Sequence, residues 1–255
     1  MSNLDEISDR AWAVLAPHLS GKAGDVGRTG VDNRLFLNAV FWVARHGCAW
    51  RTRPARFGKH DTLRKRSRRW AQKGIWQRLF EAVQEPDLDW VMLDSTVVRA
   101  HAQAAGSRQP KKNRVGDEAR GRSRGGLTTK IHAVVDALGN PLRVVLGPGQ
   151  QADCRRVADL LAAAEGAGNV LADKADDTDA VLAQVAALGA QAVIPSNKNR
   201  PVQRVIDRNL YRDRNKVERF FSRLKQFRRL ATRYDKTASS FLGMVHFVSA
   251  LLWLR

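Results

Sequence analysis

The stretch Trp90-Val91-Met92-Leu93-Asp94 is the strongest fold signal in the chain, because four consecutive apolar residues lead directly into a carboxylate. A short apolar run without helical spacing is typical of a strand that is buried on both faces of a sheet. The same pattern recurs at Val170 to Ala172, which leads into Asp173. The sequence therefore predicts a sheet in which two strands each end at an aspartate.

The residues before Trp90 show helical periodicity instead. Apolar residues at helical spacing predict a helix over 4–19, and Asp32 is placed to cap a second helix. A basic helix opens at Asp61-Thr62 and is broken by Gly74, after which residues 75–83 predict another helix. Short helices divided by a glycine, one of them strongly basic, resemble a helix-turn-helix. The side chains that would contact DNA, with a solvated helix face as the alternative, are Arg64, Lys65, Arg66, Arg68 and Arg69.

The residues after Asp94 predict an α/β domain. Residues 103–126 are rich in cations and poor in apolar side chains, which predicts a long basic loop. Two strands, over 128–135 and 142–146, flank a turn sequence and predict a hairpin. The later predicted elements are a helix over 153–164, the strand over 170–172, a helix over 178–188 and a strand over 192–194.

This order of elements indicates a mixed sheet flanked by helices. Pro86-Asp87 marks the predicted boundary between two domains. The first is an all-helical, helix-turn-helix-like domain over 1–86, in which Trp70 and Trp76 are predicted core residues. The second is an α/β domain over 87–255.

Asp94 and Asp173 are candidates for metal binding. A carboxylate at the end of a buried strand costs desolvation free energy unless it is paired or bound to a cation. Other acids have local explanations: Asp136 lies in the hairpin turn, and Asp177 and Asp179 are placed as the cap and first turn of a helix. If the two strands are neighbours, the carboxylates of Asp94 and Asp173 would meet at one edge of the sheet.

The segment from Tyr211 to Lys225, YRDRNKVERFFSRLK, contains no Gly or Pro and predicts a single helix. At ~100° per residue, Tyr211, Arg214, Glu218 and Lys225 fall within a strip of about 60°, beside a broad apolar face. A carboxylate among two cations and a phenol is unlike the scattered charges of a solvated helix. With Glu218 closing the site, three carboxylates could hold two Mg²⁺ ions about 4 Å apart, the arrangement that serves phosphoryl transfer.

The composition favours a polyanionic partner. The formal net charge is +19, from 44 Lys and Arg against 25 Asp and Glu in 255 residues. Such a surplus favours nucleic acid, with a basic scaffold protein as the alternative. The two cysteines form no CxxC pair, which excludes a disulfide framework and favours a reducing cytosol, and structural zinc is not expected. The acidic start of the chain and the short apolar run over 241–254 predict neither a signal peptide nor a membrane span.

The spacing Tyr211-x2-Arg214-x3-Glu218-x6-Lys225 matches the Y-x2-R-x3-E-x6-K signature of the bacterial insertion-sequence DDE transposases. The segments VERFFSRLKQFRRLATRYDK, LDSTVVRAHAQAAG, GGLTTKIHAVVDALGNPLR and LADKADD resemble the insertion-sequence-five group of that family. The segment RPARFGKHDTLRKRSRRWAQKGIW resembles the helical DNA-binding segment of the same proteins. The resemblance extends over nearly the whole chain.

The resemblance implies a ribonuclease-H-like fold and a metal-dependent DNA transposase. By position, Asp94, Asp173 and Glu218 match the catalytic residues of the family, which hold the metal. The expected cofactor is Mg²⁺ or Mn²⁺, with two ions. The expected reaction is strand cleavage at the end of the element, followed by strand transfer into target DNA.

The resemblance also implies how DNA is held. Tyr211, Arg214 and Lys225 match the residues that hold transposon-end phosphates, and such contacts position DNA without reading its sequence. The expected partners are double-stranded DNA, as terminal inverted repeats and as target, and further copies of the chain assembled on DNA. The expected location is the bacterial cytoplasm, in association with the nucleoid.

Two positions depart from the family pattern. Ala175-Asp176 follows Asp173-Lys174 where the family usually has Gly-Tyr or Ala-Tyr, and His60 stands where the family often has an aromatic residue, commonly Trp. An acidic residue at position 176 could repel DNA or compete for metal. Two alternative functions therefore stay open: a catalytically inactive copy acting as a DNA-binding repressor, and a ribonuclease-H-like nuclease acting on another nucleic acid.

Overall fold

The computed structural model describes residues 6–21, 25, 32–105 and 119–254. In chain order, its helices are α1 (Asp9–Leu15), α2 (Asn33–His46), α3 (His60–Gln72), α4 (Ile75–Glu81), α5 (Ala102–Ala105), α6 (Val157–Leu161), α7 (Asp179–Ala187), α8 (Arg208–Arg212), α9 (Asn215–Lys225), α10 (Arg228–Ala231) and α11 (Ala238–Trp253). Its strands are β1 (Trp90–Ala100), β2 (Gly121–Ser123), β3 (Gly126–Val135), β4 (Pro141–Pro148), β5 (Asn169–Leu171), β6 (Gln191–Val193) and β7 (Thr232–Arg233). Short 3₁₀ turns lie at Ala16–His18, Ala55–Phe57, Asp153–Arg156 and Lys174–Asp176.

The chain forms two compact units, each built from more than one stretch of sequence. The described part of the first unit contains residues up to Gln84, together with 100–105 and 224–254. The second unit contains 85–99 and 119–223. The first unit gives way to the second after Gln84, close to the boundary predicted at Pro86-Asp87. Residues 224–254, however, belong to the first unit together with the N-terminal helices, because α11 packs against α3 and α4.

Aromatic packing forms the core of the first unit. The ring of Trp70 lies 5.0 Å from that of Phe36 and 5.0 Å from that of Trp76, and Trp76 lies 5.1 Å from Phe247 on α11. Trp70 and Trp76 are 4% and 2% exposed, which confirms that they are core residues. At Gly243 of α11, an added Cβ atom would lie 2.7 Å from Trp76. Close contact between α11 and its neighbours therefore depends on the missing side chain at Gly243.

The helical pattern predicted for the N-terminal region is largely confirmed. Asp32 caps α2 by accepting a hydrogen bond from the backbone N–H of Leu35 at 2.8 Å. Gly74 separates α3 from α4 and has a φ of 66°, in the region that glycine enters without steric cost. The helix predicted over 4–19 is shorter, since α1 is followed by a 3₁₀ turn. No helix in the described part of the chain is both long and apolar enough to cross a membrane.

The second unit is built on a mixed sheet, in which the strand order is β2-β3-β1-β5-β6 and β4 pairs with β3. β1 is antiparallel to β3 and parallel to β5, and β5 is parallel to β6. The predicted hairpin is formed by β3 and β4. In its turn, the buried carboxylate of Asp136 accepts hydrogen bonds from the backbone N–H groups of Leu138 and Asn140 at 3.0 and 2.7 Å. The predicted α/β class and the structural role of Asp136 are thus confirmed.

The strand bounds differ from the prediction at the two candidate aspartates. The strand predicted to end at Asp94 continues to Ala100, because β3 pairs with β1 as far as Arg99. β5 ends at Leu171, so that Asp173 follows the strand instead of ending it. β2 lies inside the predicted loop 103–126, of which residues 106–118 lie outside the described part of the chain.

Candidate active site

The register of the sheet brings Asp94 and Asp173 to the same level. β1 and β5 are parallel neighbours, and Met92 pairs with Leu171. Each aspartate lies two residues beyond this pair, and the backbone at Asp173 is still extended. Burial, reinforced by the charge of Asp173, raises the pKa of Asp94 although Arg214 acts in the opposite direction. The expected meeting of the two acids on neighbouring strands is therefore observed.

Arg214 joins Asp94 to Glu218. Its Nη1 donates to Oδ2 of Asp94 at 3.1 Å, and its Nη2 donates to Oε1 of Glu218 at 2.7 Å. The side chain of Asp94 is 23% exposed, whereas that of Glu218 is 55% exposed. Burial disfavours the charged guanidinium, but the surrounding negative charges, that of Asp94 foremost, raise the pKa of Arg214. One shared cation thus brings the predicted third carboxylate to the cluster.

A turn between α8 and α9 sets the position of Arg214, so the prediction of a single helix over 211–225 is wrong. The backbone N–H of Lys216 donates to the carbonyl of Asp213 at 2.8 Å, three residues earlier, in place of the four-residue spacing of an α-helix. The Nζ of Lys216 also donates to the Asp213 carboxylate and to the carbonyl of Ala137, both at 2.8 Å. The contact with Ala137 is tertiary, so the sequence around Lys216 gives no sign of it. Tyr211 consequently lies on α8, whereas Glu218 lies on α9.

Asp173 has a local role that the sequence did not reveal. Its Oδ1 accepts a hydrogen bond from the backbone N–H of Ala175 at 2.6 Å, which caps the 3₁₀ turn Lys174–Asp176. The turn leaves Asp176 only 5% exposed, and Oδ1 of Asp176 has no hydrogen-bond partner among the described residues. Burial, followed by the charges of Asp173, Asp153 and Asp94, raises the pKa of Asp176 to about 7. A fourth carboxylate therefore belongs to the cluster.

Asp153 is close to the cluster but has basic side chains of its own beside it. Nζ of Lys130 lies 3.1 Å and Nδ1 of His132 lies 3.2 Å from its Oδ1. Burial opposes ionisation, but hydrogen bonds from His132, Ser95 and Lys130 outweigh it and lower the pKa of Asp153 to about 2. Asp153 was not among the site residues predicted from the sequence. The available signal was the pair of basic residues at 130 and 132, which share one face of the strand.

Asp177 is a buried structural acid, and the prediction that it caps the next helix is wrong. Thr178 caps α7 instead. The Asp177 carboxylate accepts hydrogen bonds from the backbone N–H of Asn197 at 2.6 Å, from Nε of Arg200 at 2.9 Å and from Arg204. Against the effect of burial, these bonds lower the pKa of Asp177 to about 2. They tie residues 197–204 to the segment that follows Asp173.

The donor groups of the cluster suit a hard divalent cation. Carboxylate oxygens are the ligands that Mg²⁺ and Mn²⁺ prefer. Across the residues that the structure describes, no group of three or more His, Cys, Asp or Glu side chains is arranged to enclose a metal ion. Arg214 supplies the positive charge between Asp94 and Glu218. The residues fit a divalent cation because their donors are oxygens and because the carboxylates outnumber the cations that pair with them. Metal binding stays a prediction.

A basic groove lies in the first unit. Two adjoining cavities of about 590 and 720 Å³ share a lining of Trp50, Arg64, Arg229 and Tyr234. Arg229 is held in place, since it forms an ion pair with Asp235 at 3.0 Å. The exposed cations along the cavities, which we call the groove cations, are Arg51, Arg64, Arg68 and Lys236. Cations beside aromatic rings are typical of a surface that contacts nucleic acid.

The α3 cations predicted to contact DNA occupy different environments. Arg64 and Arg68 line the groove, whereas Lys65 and Arg69 are exposed about 100° further around the helix. Arg66 is the exception. Its guanidinium lies over the rings of two core residues, at 4.3 and 4.9 Å from their centroids, and donates a hydrogen bond to Asn33. Arg66 therefore has a packing role, because its charge is stacked and hydrogen-bonded, and its contact with DNA stays a prediction.

Two family models match the chain over most of its length. The model described as "Putative transposase of IS4/5 family" matches residues 7–80, and the model described as "Transposase DDE domain" matches residues 85–253. The chain belongs to the DDE transposases of insertion sequences. The family that the Tyr211–Lys225 spacing indicated is therefore confirmed.

Curated bacterial proteins are similar to this transposase. A protein of Brucella ovis named "Putative transposase for insertion sequence element IS6501" is 45% identical over 130 residues, which cover 51% of this chain and 100% of that protein. The "Uncharacterized protein y4sN" of Sinorhizobium fredii is 39% identical over 114 residues, covering 44% of this chain and 90% of that protein. A Burkholderia cepacia protein of insertion element IS402 is 31% identical over 107 residues, covering 37% of this chain and 73% of that protein.

The transposase has a ribonuclease-H-like fold in its second unit. The DDE family implies this fold, and the mixed sheet flanked by helices agrees with it. The expected fold class is therefore confirmed. The assignments of individual site residues stay predictions.

Proposed function

We propose that this transposase binds the terminal inverted repeats of an insertion sequence and catalyses metal-dependent strand cleavage and strand transfer. The observation that supports this most strongly is the bridge from Asp94 through Arg214 to Glu218, beside Asp173. Two acids from separate parts of the chain pair with a single guanidinium, and the register of β1 and β5 places a third acid at the level of Asp94. A stable fold does not require such a group, because collecting acids at one place costs electrostatic free energy.

Asp94, Asp173 and Glu218 would hold Mg²⁺ or Mn²⁺, and we propose two ions. Such ions, when bound, supply the positive charge that activates an attacking oxygen and stabilises a leaving oxygen at phosphorus. Arg214 keeps the carboxylates of Asp94 and Glu218 in place in the free protein. A DNA phosphate would offer the guanidinium of Arg214 an alternative to its two carboxylate partners, since arginine binds carboxylates and phosphates through the same pair of N–H groups.

The proposed reaction consists of two displacements at phosphorus. In the first, a water oxygen forms a bond to phosphorus at the end of the element, and the bond to the 3′ oxygen breaks to release a 3′-OH. In the second, that 3′ oxygen forms a bond to a target phosphorus and displaces another 3′ oxygen. Both steps exchange one oxygen for another, so the same set of residues can serve both without a covalent protein intermediate.

DNA would be held by cations of both units. Arg64, Lys65, Arg68 and Arg69 of α3 are exposed and would contact the repeats. Tyr211, Arg214 and Lys225 would hold phosphates at the end of the element, in line with their place in the family signature. Strand transfer joins two ends of an element, so we propose that two or more copies assemble on DNA. The proposed location is the bacterial cytoplasm, in association with the nucleoid.

Asp176 favours a second candidate function. A buried acid without a hydrogen-bond partner among the described residues stands beside Asp173, where the family pattern usually has tyrosine. If this acid prevents productive binding of metal or phosphate, the protein would act as a repressor that occupies the repeats without cutting them. Such binding would weaken steeply with salt, as phosphate contacts do.

A labelled duplex containing one terminal repeat distinguishes these functions. The proposed transposase retards the duplex in a gel and nicks it at the end of the repeat when Mg²⁺ or Mn²⁺ is added. Retardation without cleavage in either metal would identify the repressor. Preferential cleavage of an RNA–DNA hybrid of the same sequence would instead identify a ribonuclease-H-like nuclease.

A further inference from the structure

Residues 194–207, which we call the valine loop, connect β6 to α8 in the second unit and carry two exposed valines. Val202 is 78% exposed and Val205 is 100% exposed. Single exposed apolar residues are common on protein surfaces, so exposure alone indicates no function. These two valines lie three residues apart in one loop, and the way this loop is held is what sets them apart.

The valine loop is anchored by buried charge. The carboxylate of Asp177, which is fully buried, pairs with the guanidinium groups of Arg200 and Arg204. Within the loop, Nε2 of Gln203 donates to the carbonyls of Asn197 and Arg200 at 2.9 and 3.0 Å. The fold therefore uses a buried ion pair to hold a loop whose apolar side chains are exposed to solvent.

Both ends of the valine loop lead to the proposed active site. Asp177 follows Asp173 by four residues, so at most about 14 Å of extended chain separates the anchor from the candidate acid. At the other end, the loop leads into α8, and the turn after α8 carries Arg214, which pairs with Asp94 at 3.1 Å. A partner bound at the active site would thus lie close to the valine loop.

The charge of the loop favours DNA as that partner. Residues 194–209 contain four Lys and Arg against one Asp. Asp177 pairs with two of these cations, and the other two, Lys198 and Arg208, are exposed on either side of the valines in the sequence. A second copy of the chain, with a net charge of +19, would bring like charge to the loop, whereas phosphates complement it.

We propose that the valine loop inserts Val205, supported by Val202, between two base pairs of the DNA next to the cleavage site, while Lys198 and Arg208 contact the flanking phosphates. The inference deepens the proposed function and rests on it, because it takes the end of the element as the DNA that is bound. Apolar side chains inserted between base pairs unstack them and kink the duplex, and phosphate contacts fix the register of the protein. Insertion also removes from water an apolar side chain that is fully exposed in the free protein.

Fluorescence of 2-aminopurine tests the inference without cleavage, because this base is quenched when stacked and brightens when unstacked. Terminal-repeat duplexes with flanking DNA carry one 2-aminopurine each, at successive positions across the end of the repeat. We expect saturating full-length protein, without divalent metal, to raise the fluorescence about threefold or more at one or two adjacent positions. The double variant Val202→Ser/Val205→Ser should give no increase there, even at concentrations that saturate the duplex.

Two further variants control for the loss of exposed apolar surface. Leu138→Ser is the matched control, because Leu138 is 65% exposed in the hairpin turn of the same unit, and it should keep the full increase. Val205→Leu retains an apolar side chain and should keep the increase as well. Bound wild-type protein that brightens no position, or an equal increase with the double serine variant, would overturn the inference.

The same proteins separate this inference from the proposed function and from a protein partner. Metal-dependent nicking by the wild type without a fluorescence increase would overturn the inference and leave the proposed function standing. An increase that the double serine variant loses, without nicking in Mg²⁺ or Mn²⁺, would support the inference and overturn the proposed cleavage. If the double variant keeps the increase but loses a DNA-free dimer seen by light scattering, the valines contact a second copy and the inference fails.

Discussion

Asp94 and Asp173 each lie two residues beyond the same paired position of two parallel strands, Met92 on β1 and Leu171 on β5. This register sets the two residues at the same level, Asp94 within β1 and Asp173 at the start of the turn that follows β5. Glu218 reaches them by a different route, through the guanidinium of Arg214. The candidate site thus combines one acid on a strand, one acid in the turn after the neighbouring strand, and a third acid on a helix that an ion pair joins to the first.

Replacing Glu218 with glutamine tests the role of the helix acid. Glu218→Gln keeps the size of the side chain but removes the charge that a metal ligand needs. We expect nicking of a terminal-repeat duplex to fall by about 100-fold or more, with DNA affinity within about threefold of the wild type. The rates come from single-turnover assays and the affinities from gel retardation. A nicking rate within a few-fold of the wild type would remove Glu218 from the proposed site.

Replacing Arg214 with alanine should impair both cleavage and DNA capture. The variant leaves Asp94 and Glu218 without their shared cation and removes a candidate phosphate contact, so we expect about tenfold weaker binding of the repeat end. Arg212→Ala is the matched control, because Arg212 is exposed on α8 and its bond to Asn209 is long, at 3.5 Å. If both variants bind DNA equally well, Arg214 has no special role in capture.

Two double variants of α3 test which face of the helix contacts DNA. Arg64 and Arg68 line the groove, and Lys65 and Arg69 carry the same charge elsewhere on the helix. We expect the alanine pair at 64 and 68 to weaken binding more, and to reduce the slope of log affinity against log salt by about 2. Fluorescence anisotropy at several salt concentrations measures both effects. Equal losses in the two pairs would show that the helix contributes only general positive charge.

The stability of the second unit should depend on pH through Asp177. Its folded pKa of about 2 lies below the ordinary value of 3.8. As pH falls, the unfolded chain therefore binds a proton before the folded chain does. The ionised carboxylate stabilises the fold by about 2 kcal/mol above pH ~4, and this stabilisation is lost between pH ~4 and ~2. At pH 7, Asp177→Asn should lower the free energy of unfolding by about 3 kcal/mol, because it leaves two arginines without their buried partner.

Urea unfolding at a series of pH values checks this prediction. The difference between the wild type and Asp177→Asn should shrink as pH falls below ~4, because the wild-type carboxylate then becomes neutral as well. A difference that stays constant down to pH 2 would show that the ionised form of Asp177 is not what stabilises residues 197–204.

The sequence was sufficient for the family and for most of the elements, but not for where the strands end or for the break between α8 and α9. The apolar run at 90–93 correctly predicted β1, yet the polar residues after it concealed the continuation of the strand to Ala100. That continuation depends on pairing with β3, a partner far along the chain. The same reason explains why the turn at Asp213 was missed, since the contact of Lys216 with Ala137 is tertiary.

Three acids of the candidate site were predictable, but their partners were not. Asp94, Asp173 and Glu218 follow from the strand pattern and the signature spacing, and the structure brings them to one cluster. The burial of Asp176 was not predictable, because a one-turn 3₁₀ helix has no periodicity to read. The sequence pattern also could not distinguish a buried structural role for Asp177 from a helix-capping role, since aspartate serves in both.

Metal-dependent nicking of a terminal-repeat duplex by the wild type and by Asp94→Asn tests the central claim most directly, with Asp159→Asn as the control for a lost surface charge. The proposed function predicts nicking at the end of the repeat by the wild type and the control in Mg²⁺ or Mn²⁺. It predicts no detectable nicking by Asp94→Asn, at protein concentrations where all three proteins bind the duplex equally. Equal nicking by Asp94→Asn and the wild type would contradict the assignment of Asp94 as a catalytic residue.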